Sequence, residues 1–303
     1  MCSLFGIYDY KGVLKGNELR KLTNVLAREA EVRRKDAAGI AYNSNGKLRI
    51  FKRGLPAHKL CFAPPTGVKV VMGHTRLTTQ GNERYYQNNH PFQGQNFALA
   101  HNGIITNELT LKQQYHLPHT NIETDSYVAV QLLEQADKLD FRSIHNMAEK
   151  IHGTFAFSIV DRKDTLYLVK GNNPIEIYEG DGFTLYASTQ QILDKALKEM
   201  RWESNRFLHY SMKNGETLRI TPNGQWQIEK SNFVDHSKYY TVPFSSYEDD
   251  WYFDMLLDYG EALGVSRKDL YALAEYGMDD DEIEEMLWEP KLIHDFVQDL
   301  AIL

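Results

Sequence analysis

Short apolar runs separated by polar turns dominate the chain as far as about residue 230. The first is Ser3–Tyr8, read as a strand that Asp9-Tyr10-Lys11-Gly12 turns. Leu19, Leu22, Leu26 and Ala30 then recur at helical spacing, with Asn17 as the predicted cap. Residues 33–42 form a polar loop feeding a strand, and Gly46 turns it into the alternating hairpin partner Lys47–Lys52. Val68–Met72 reads as a buried strand, 78–89 as a polar loop, and Asn96–Ala100 as the next strand. Helices are expected from Glu123-Thr124-Asp125 through Leu133 and over about 143–152. Strands follow at Thr154–Asp161, Thr165–Val169, 175–178 and 183–187. Ser188-Thr189-Gln190-Gln191 reads as a capping box for a helix over 189–200. Asn214-Gly215 and Asn223-Gly224 are turn dipeptides between later strands. From about residue 247 the period becomes helical. Ser266 and Asp269 open a helix that Gly277 stops, and Asp279–Trp288 ends before Pro290. Many strands without regular βα alternation predict an α+β fold of two stacked antiparallel sheets flanked by helices.

Charge divides the chain where the period changes. Residues 241–303 hold 17 acidic and 3 basic side chains, a net of −14, against +7 for residues 1–240. A body over 1–240 and an acidic helical tail over 241–303 are therefore expected. The tail either docks on the body or a basic partner, or is simply solvated. The content, 42% hydrophobic and 25% charged in 303 residues, is that of a soluble globular protein. No apolar run is long enough for a membrane span, and no secretory pattern opens the sequence. Two cysteines, Cys2 and Cys61, allow neither a disulfide framework nor a four-cysteine zinc site, and a reducing cytoplasm fits best. Cys61 has no motif around it and reads as a buried or partly exposed thiol.

Cys2 is the candidate with distinctive chemistry, because it stands directly after Met1. With Met1 removed, one carbon carries a thiol and a free amine, so the amine can act as the thiol's own base. Alone, a cysteine at this position is more often a small buried side chain.

Several further segments change those odds, and in this order. Arg33–Ala41 is similar to the Arg-Gly-Tyr-Asp-Ser-Ala-Gly-Ile-Ala stretch of glucosamine-6-phosphate synthase. Gly73-His74-Thr75-Arg76-Leu77-Thr78-Thr79-Gln80-Gly81 resembles its Gly-His-Thr-Arg-Trp-Ala-Thr-His-Gly. Asn89-His90-Pro91, His101-Asn102-Gly103-Ile104-Ile105 and Glu123-Thr124-Asp125 follow, and the opening Met-Cys-Ser-Leu-Phe-Gly-Ile-Tyr-Asp resembles asparagine synthetases. Together they resemble the glutaminase domain of class II glutamine amidotransferases, over about residues 2–200 or to 235.

That resemblance implies an N-terminal-nucleophile hydrolase αββα sandwich acting on glutamine without metal or other cofactor. It implies Cys2 as nucleophile, Asn102 and Gly103 as oxyanion donors, and Arg76, Asp125 and Thr79 as substrate-binding residues, with Arg33 supporting Cys2. The residue types suit these tasks: an amide N–H and a backbone N–H can converge on one oxygen. A guanidinium grips a carboxylate with two prongs. Each has a plainer reading too: Arg76 as a surface arginine, Asp125 as a helix cap, Asn102-Gly103 as a hairpin turn. His74, His90 and His101 lack paired metal-ligand spacing and read as structural. Leu77 and Gln80 depart from the tryptophan and histidine of the related motif, beside the arginine, in the loop expected to cover substrate.

No P-loop, Gly-x-Gly-x-x-Gly or Ser-Gly-Gly-x-Asp-Ser follows. The expectation is a stand-alone glutaminase unit that hands ammonia to a separate synthase or acceptor protein, with residues 241–303 as a docking element. Nucleic acid and membrane partners are not expected. An N-terminal-cysteine amidohydrolase for another amide, or a binding module that keeps the fold, are the alternatives.

Overall fold

The computed structural model describes residues 2–32, 35–78, 80–234, 251–278, 280–287 and 290–300. Among these, one sheet contains β1 (Ser3–Tyr8), β2 (Ala37–Ser44), β3 (Lys47–Arg53), β4 (Val70–Arg76), β9 (Glu176–Glu179), β10 (Thr184–Ala187) and β11 (Leu208–Ser211). Its order is β11-β9-β10-β1-β4-β2-β3. The second contains β5 (Phe92–Gln93), β6 (Phe97–Ile105), β7 (Gly153–Asp161), β8 (Leu166–Lys170), β12 (Glu216–Ile220) and β13 (Trp226–Lys230), ordered β13-β12-β8-β7-β6-β5. Neighbouring strands are antiparallel in both.

The strands near the middle of each sheet are buried on both faces, which divides the core into three layers. Phe5, Ile7, Ile40, Val71 and Leu185 face α1 (Gly16–Ala30) and α5 (Gln190–Met200) on one outer side. Leu99, Phe157, Ile159 and Tyr167 face α3 (Tyr127–Glu134) and α4 (Phe141–Ala148) on the other. Between the sheets lie Leu4, Tyr8, Ala41, Met72, Ala98, Ala100, Ala156, Leu168 and Tyr186. Small alanines opposite large residues let the sheets approach closely, and each large side chain so buried contributes about 1.5–3 kcal/mol. The architecture is the expected four-layer αββα sandwich.

Past a short α2 (Glu108–Gln114), which the sequence pattern did not reveal, the main differences from expectation lie at element ends. Asn17 does not cap α1; the helix starts at Gly16, and the Glu18 carboxylate takes the Lys15 N–H at 3.0 Å. Ser188 does not close a capping box, because its hydroxyl is already taken by β1. Both turn dipeptides are turns as expected: Asn214-Gly215 links β11 to β12 across the two sheets, and Asn223-Gly224 joins the paired β12 and β13.

Four further helices, α6 (Trp251–Ala262), α7 (Arg267–Tyr276), α8 (Asp280–Met286) and α9 (Pro290–Leu300), form a bundle with its own apolar centre. Ser266 accepts the Asp269 N–H and Gly277 ends α7 at a positive φ, as expected. Leu256, Leu257, Leu270, Leu273, Ile283 and Ile293 are fully buried there. Ile104, in β6, packs against the same cluster, so the bundle rests on the sandwich. No helix among the described residues is long and apolar enough to cross a membrane.

Candidate functional site

Strand alternation decides which side chains meet. In β4, Val70 and Met72 point between the sheets, and His74 and Arg76 continue that series. In β6, Ala98 and Ala100 point there and Asn102 follows. In β1, Leu4 and Tyr8 face inward, and Cys2 extends their series one residue before the strand. Ser3 lies opposite Thr75 in the β1–β4 register, so Cys2 falls beside the end of β4. The Leu77 N–H accordingly donates to the Cys2 sulfur at 3.4 Å.

Cys2 is half-buried, and loss of solvent pushes its thiol above the usual cysteine range. The Leu77 N–H and the Arg76 charge act in the opposite direction. Arg76 is 2% exposed, and its guanidinium is held in place by the loop that follows. It donates to Asn89 Oδ1 at 2.8 Å, to the Gly81 carbonyl at 2.9 Å and to the Gln80 carbonyl. Arg76, Cys2 and Asp125 are close enough for their charges to influence one another.

Asp125 is not a helix cap in the simple sense. Its Oδ2 accepts the Ile105 N–H at 2.6 Å, tying the start of α3 to the end of β6. Its Oδ1 accepts the Ser126 N–H at 2.7 Å and the Ser126 hydroxyl at 3.0 Å. That hydroxyl in turn accepts from His101 Nδ1 at 2.8 Å. His101 and Ser126 thus orient the carboxylate from behind, a role that no local sequence signal carried.

Asn102 and Gly103 sit inside β6, paired with Ala156 and Phe155, so the hairpin-turn alternative is excluded. Gly103 has φ +141°, and a Cβ there would stand 2.0 Å from the Thr154 carbonyl oxygen; only glycine fits. The Asn102 side chain is fully buried and reaches Ser188 Oγ in the other sheet at 3.3 Å. Ser188 Oγ also accepts the Leu4 N–H at 2.8 Å, two residues from Cys2. Asn102 Oδ1 has no partner. Turning the amide over would let the Ser188 O–H donate to Oδ1 and leave the amide N–H groups free as donors.

The three motif histidines hold the sandwich together. His74 Nε2–H donates to the His101 carbonyl at 2.8 Å, bridging the sheets, and its ring packs on His90 with centroids 4.1 Å apart. Burial drives His74 down to about 3 and His90 also well below the usual imidazole range, so both are neutral at physiological pH. Lys52 is buried beside them, donating to the Asn89 and Pro91 carbonyls. Burial, reinforced by Arg76, lowers it to about 7. Among the described residues no group of three or more His, Cys, Asp or Glu is placed to hold a metal ion.

Arg33 and Thr79 lie outside the described residues, as do Met1 and the expected boundary near residue 240. Cys61 is exposed, more open than its sequence context suggested.

Residues 74–195 match a family described as a glutamine amidotransferase domain. Among curated proteins, glutamine–fructose-6-phosphate aminotransferase (isomerizing) of Listeria innocua is 32% identical over 227 residues, covering 72% of this chain and 37% of that protein. The enzyme of the same description from Staphylococcus aureus is 33% identical over 203 residues, covering 62% of this chain and 32% of its own length. The chain thus spans about a third of the curated relatives it matches. Glutamine phosphoribosylpyrophosphate amidotransferase from B. subtilis superposes with a TM-score of 0.62 at 21% identity, over 91% of this chain and 58% of that one. A structure titled as the allosteric regulatory enzyme of purine biosynthesis gives 0.63 at 21% identity, over 92% and 59%. These two likenesses are of fold.

Proposed function

We propose that this chain, whose residues 74–195 match a glutamine amidotransferase domain, hydrolyses the side-chain amide of glutamine in the manner of an N-terminal-nucleophile hydrolase. In this reading the peptide bond before Cys2 is cleaved, and the freed amine takes the thiol proton. The sulfur attacks the amide carbon, and the oxyanion is met by the Asn102 side chain and the Gly103 N–H. The C–N bond breaks, ammonia leaves with the proton, and water hydrolyses the thioester to glutamate and free thiol. Arg76 takes the α-carboxylate and Asp125 the α-ammonium of the substrate. Thr79 joins them in substrate binding, and Arg33 orders the Cys2 segment.

The observation that carries this reading is that Cys2 lies beside Arg76 and Leu77 at the end of β4, while Asn102 of β6 meets Ser188, which holds Leu4 two residues from Cys2. A buried Arg76 within electrostatic reach of Asp125 suits a substrate with an amino-acid backbone, which favours glutamine or a similar amino-acid amide over an unrelated amide. We place the reaction in the cytoplasm, where the thiol stays reduced. Ammonia passes to an acceptor on a separate protein, docked through residues 241–303, whose net charge of −14 suits a basic partner.

The test is intact mass combined with ammonia release. Protein beginning at Cys2 should release ammonia from glutamine, and Cys2→Ala should abolish release while keeping the fold. Activity in protein that still carries Met1 would rule out the amine as base. Processed protein inert toward glutamine would overturn the reading. For the acceptor, a basic partner should raise glutamine turnover and lose that effect at high salt.

A further inference from the structure

One residue in the loop after β4 touches both arms of the proposed substrate clamp, Arg76 through its backbone carbonyl and Asp125 through its side chain. We propose that Gln80 is a positioning residue for glutamine, setting the separation between the Arg76 guanidinium and Asp125. The proposal rests on the glutaminase reading and adds to it a residue outside the expected set.

The Gln80 backbone carbonyl accepts from Arg76, and the adjoining Gly81 carbonyl accepts from the same guanidinium at 2.9 Å. Its side-chain Oε1 accepts the Asp125 N–H at 2.8 Å. Its Nε2 donates to Glu108 Oε1 on α2 at 3.1 Å, and the other Glu108 oxygen holds Lys112 at 3.1 Å. One residue therefore links the guanidinium of one arm to the backbone of the other, and braces both on a helix.

The Asp125 carboxylate has separate support from Ile105 and Ser126, so its own orientation does not depend on Gln80. What depends on Gln80 is where the backbone of residue 125 stands relative to Arg76. A primary amide suits this because it offers an acceptor and a donor at once. A substrate gripped at both its carboxylate and its ammonium reads that spacing directly.

The test measures ammonia release from glutamine alongside alkylation of Cys2 by iodoacetamide, followed by peptide mass. Iodoacetamide carries no amino-acid backbone and does not use the clamp. Losing an ordinary hydrogen bond changes a binding constant by roughly 3- to 10-fold. Gln80→Ala should therefore raise KM for glutamine by that factor while kcat falls less than twofold and Cys2 alkylates at the wild-type rate. Gln80→Glu should also raise KM, because it sets a second carboxylate against Glu108. Combining it with Glu108→Gln restores one acceptor and one donor, and should bring KM back within twofold of wild type.

An unchanged KM in Gln80→Ala, or failure of the exchanged pair to restore it, would overturn the proposal. So would altered alkylation or a large fall in Tm, which would mark Gln80 as a support for the loop rather than the clamp. If the wild-type protein neither binds nor hydrolyses glutamine, the glutaminase reading itself falls and the clamp with it.

Discussion

Lys52 shows how a single buried charge becomes a property of the whole fold. Its folded value of about 7 lies below that of a free lysine, first through burial and then through Arg76. Below pH 7 it is protonated in both folded and unfolded chains, and its burial penalty is felt in full. Between pH 7 and about 10.5 the unfolded chain holds a proton that the folded one has released, so this group adds stability as pH rises. His74 acts on the acid side: its folded value near 3 lies below the free imidazole, so stability drains away as pH falls from about 6.5 toward 3. Replacing Lys52 with methionine should flatten the rise above pH 7, by a total on the order of a few kcal/mol, without touching the acid limb. Urea unfolding at a series of pH values reads this directly. An unchanged alkaline limb would mean that water reaches Lys52.

At the scale of elements, the site depends on a serine that joins three strands. Ser188, just past β10, accepts the Leu4 N–H of β1 and contacts Asn102 of β6. It is fully buried, so Ser188→Ala leaves the Leu4 N–H without a partner at a cost of about 1–3 kcal/mol. The expected outcome is a lower urea midpoint together with reduced kcat, because β1 carries Cys2 and β6 carries Asn102. Stability lost with kcat intact would show that Asn102 needs no help from Ser188. Sequence pattern put Ser188 at a helix start because Ser-x-x-Gln spacing satisfies the local rule. Only the packing of β10 against β1 diverted the hydroxyl to a strand.

At the scale of the molecule, the helical bundle meets the sandwich at a sensitive point. Ile104 lies between Gly103 and the Ile105 N–H that holds Asp125, and it packs into the apolar centre of α6–α9. The bundle therefore bears on the strand that carries the proposed oxyanion donors. Ile104→Ser removes apolar contact without adding bulk. It should speed amide hydrogen exchange in α6 and α7 while leaving β4 and β7 protected. Equal exchange in both proteins would mean that other contacts hold the bundle.

Periodicity alone determined most strands, the helices of the two outer layers and the helical character of the last quarter, because burial leaves its spacing in the sequence. Motif order determined the glutaminase resemblance and the residues worth watching. Neither could say that Asn102-Gly103 is mid-strand instead of a turn, since the same dipeptide suits both until β7 pairs alongside. Neither could find His101 behind Ser126 and Asp125, or Gln80 against the Asp125 N–H, since these contacts join residues distant along the chain. Cys2 was legible as a reactive type from its position. Its place beside Leu77 and Arg76 was decided by the β1–β4 register, and register is a property of paired strands that no single strand contains.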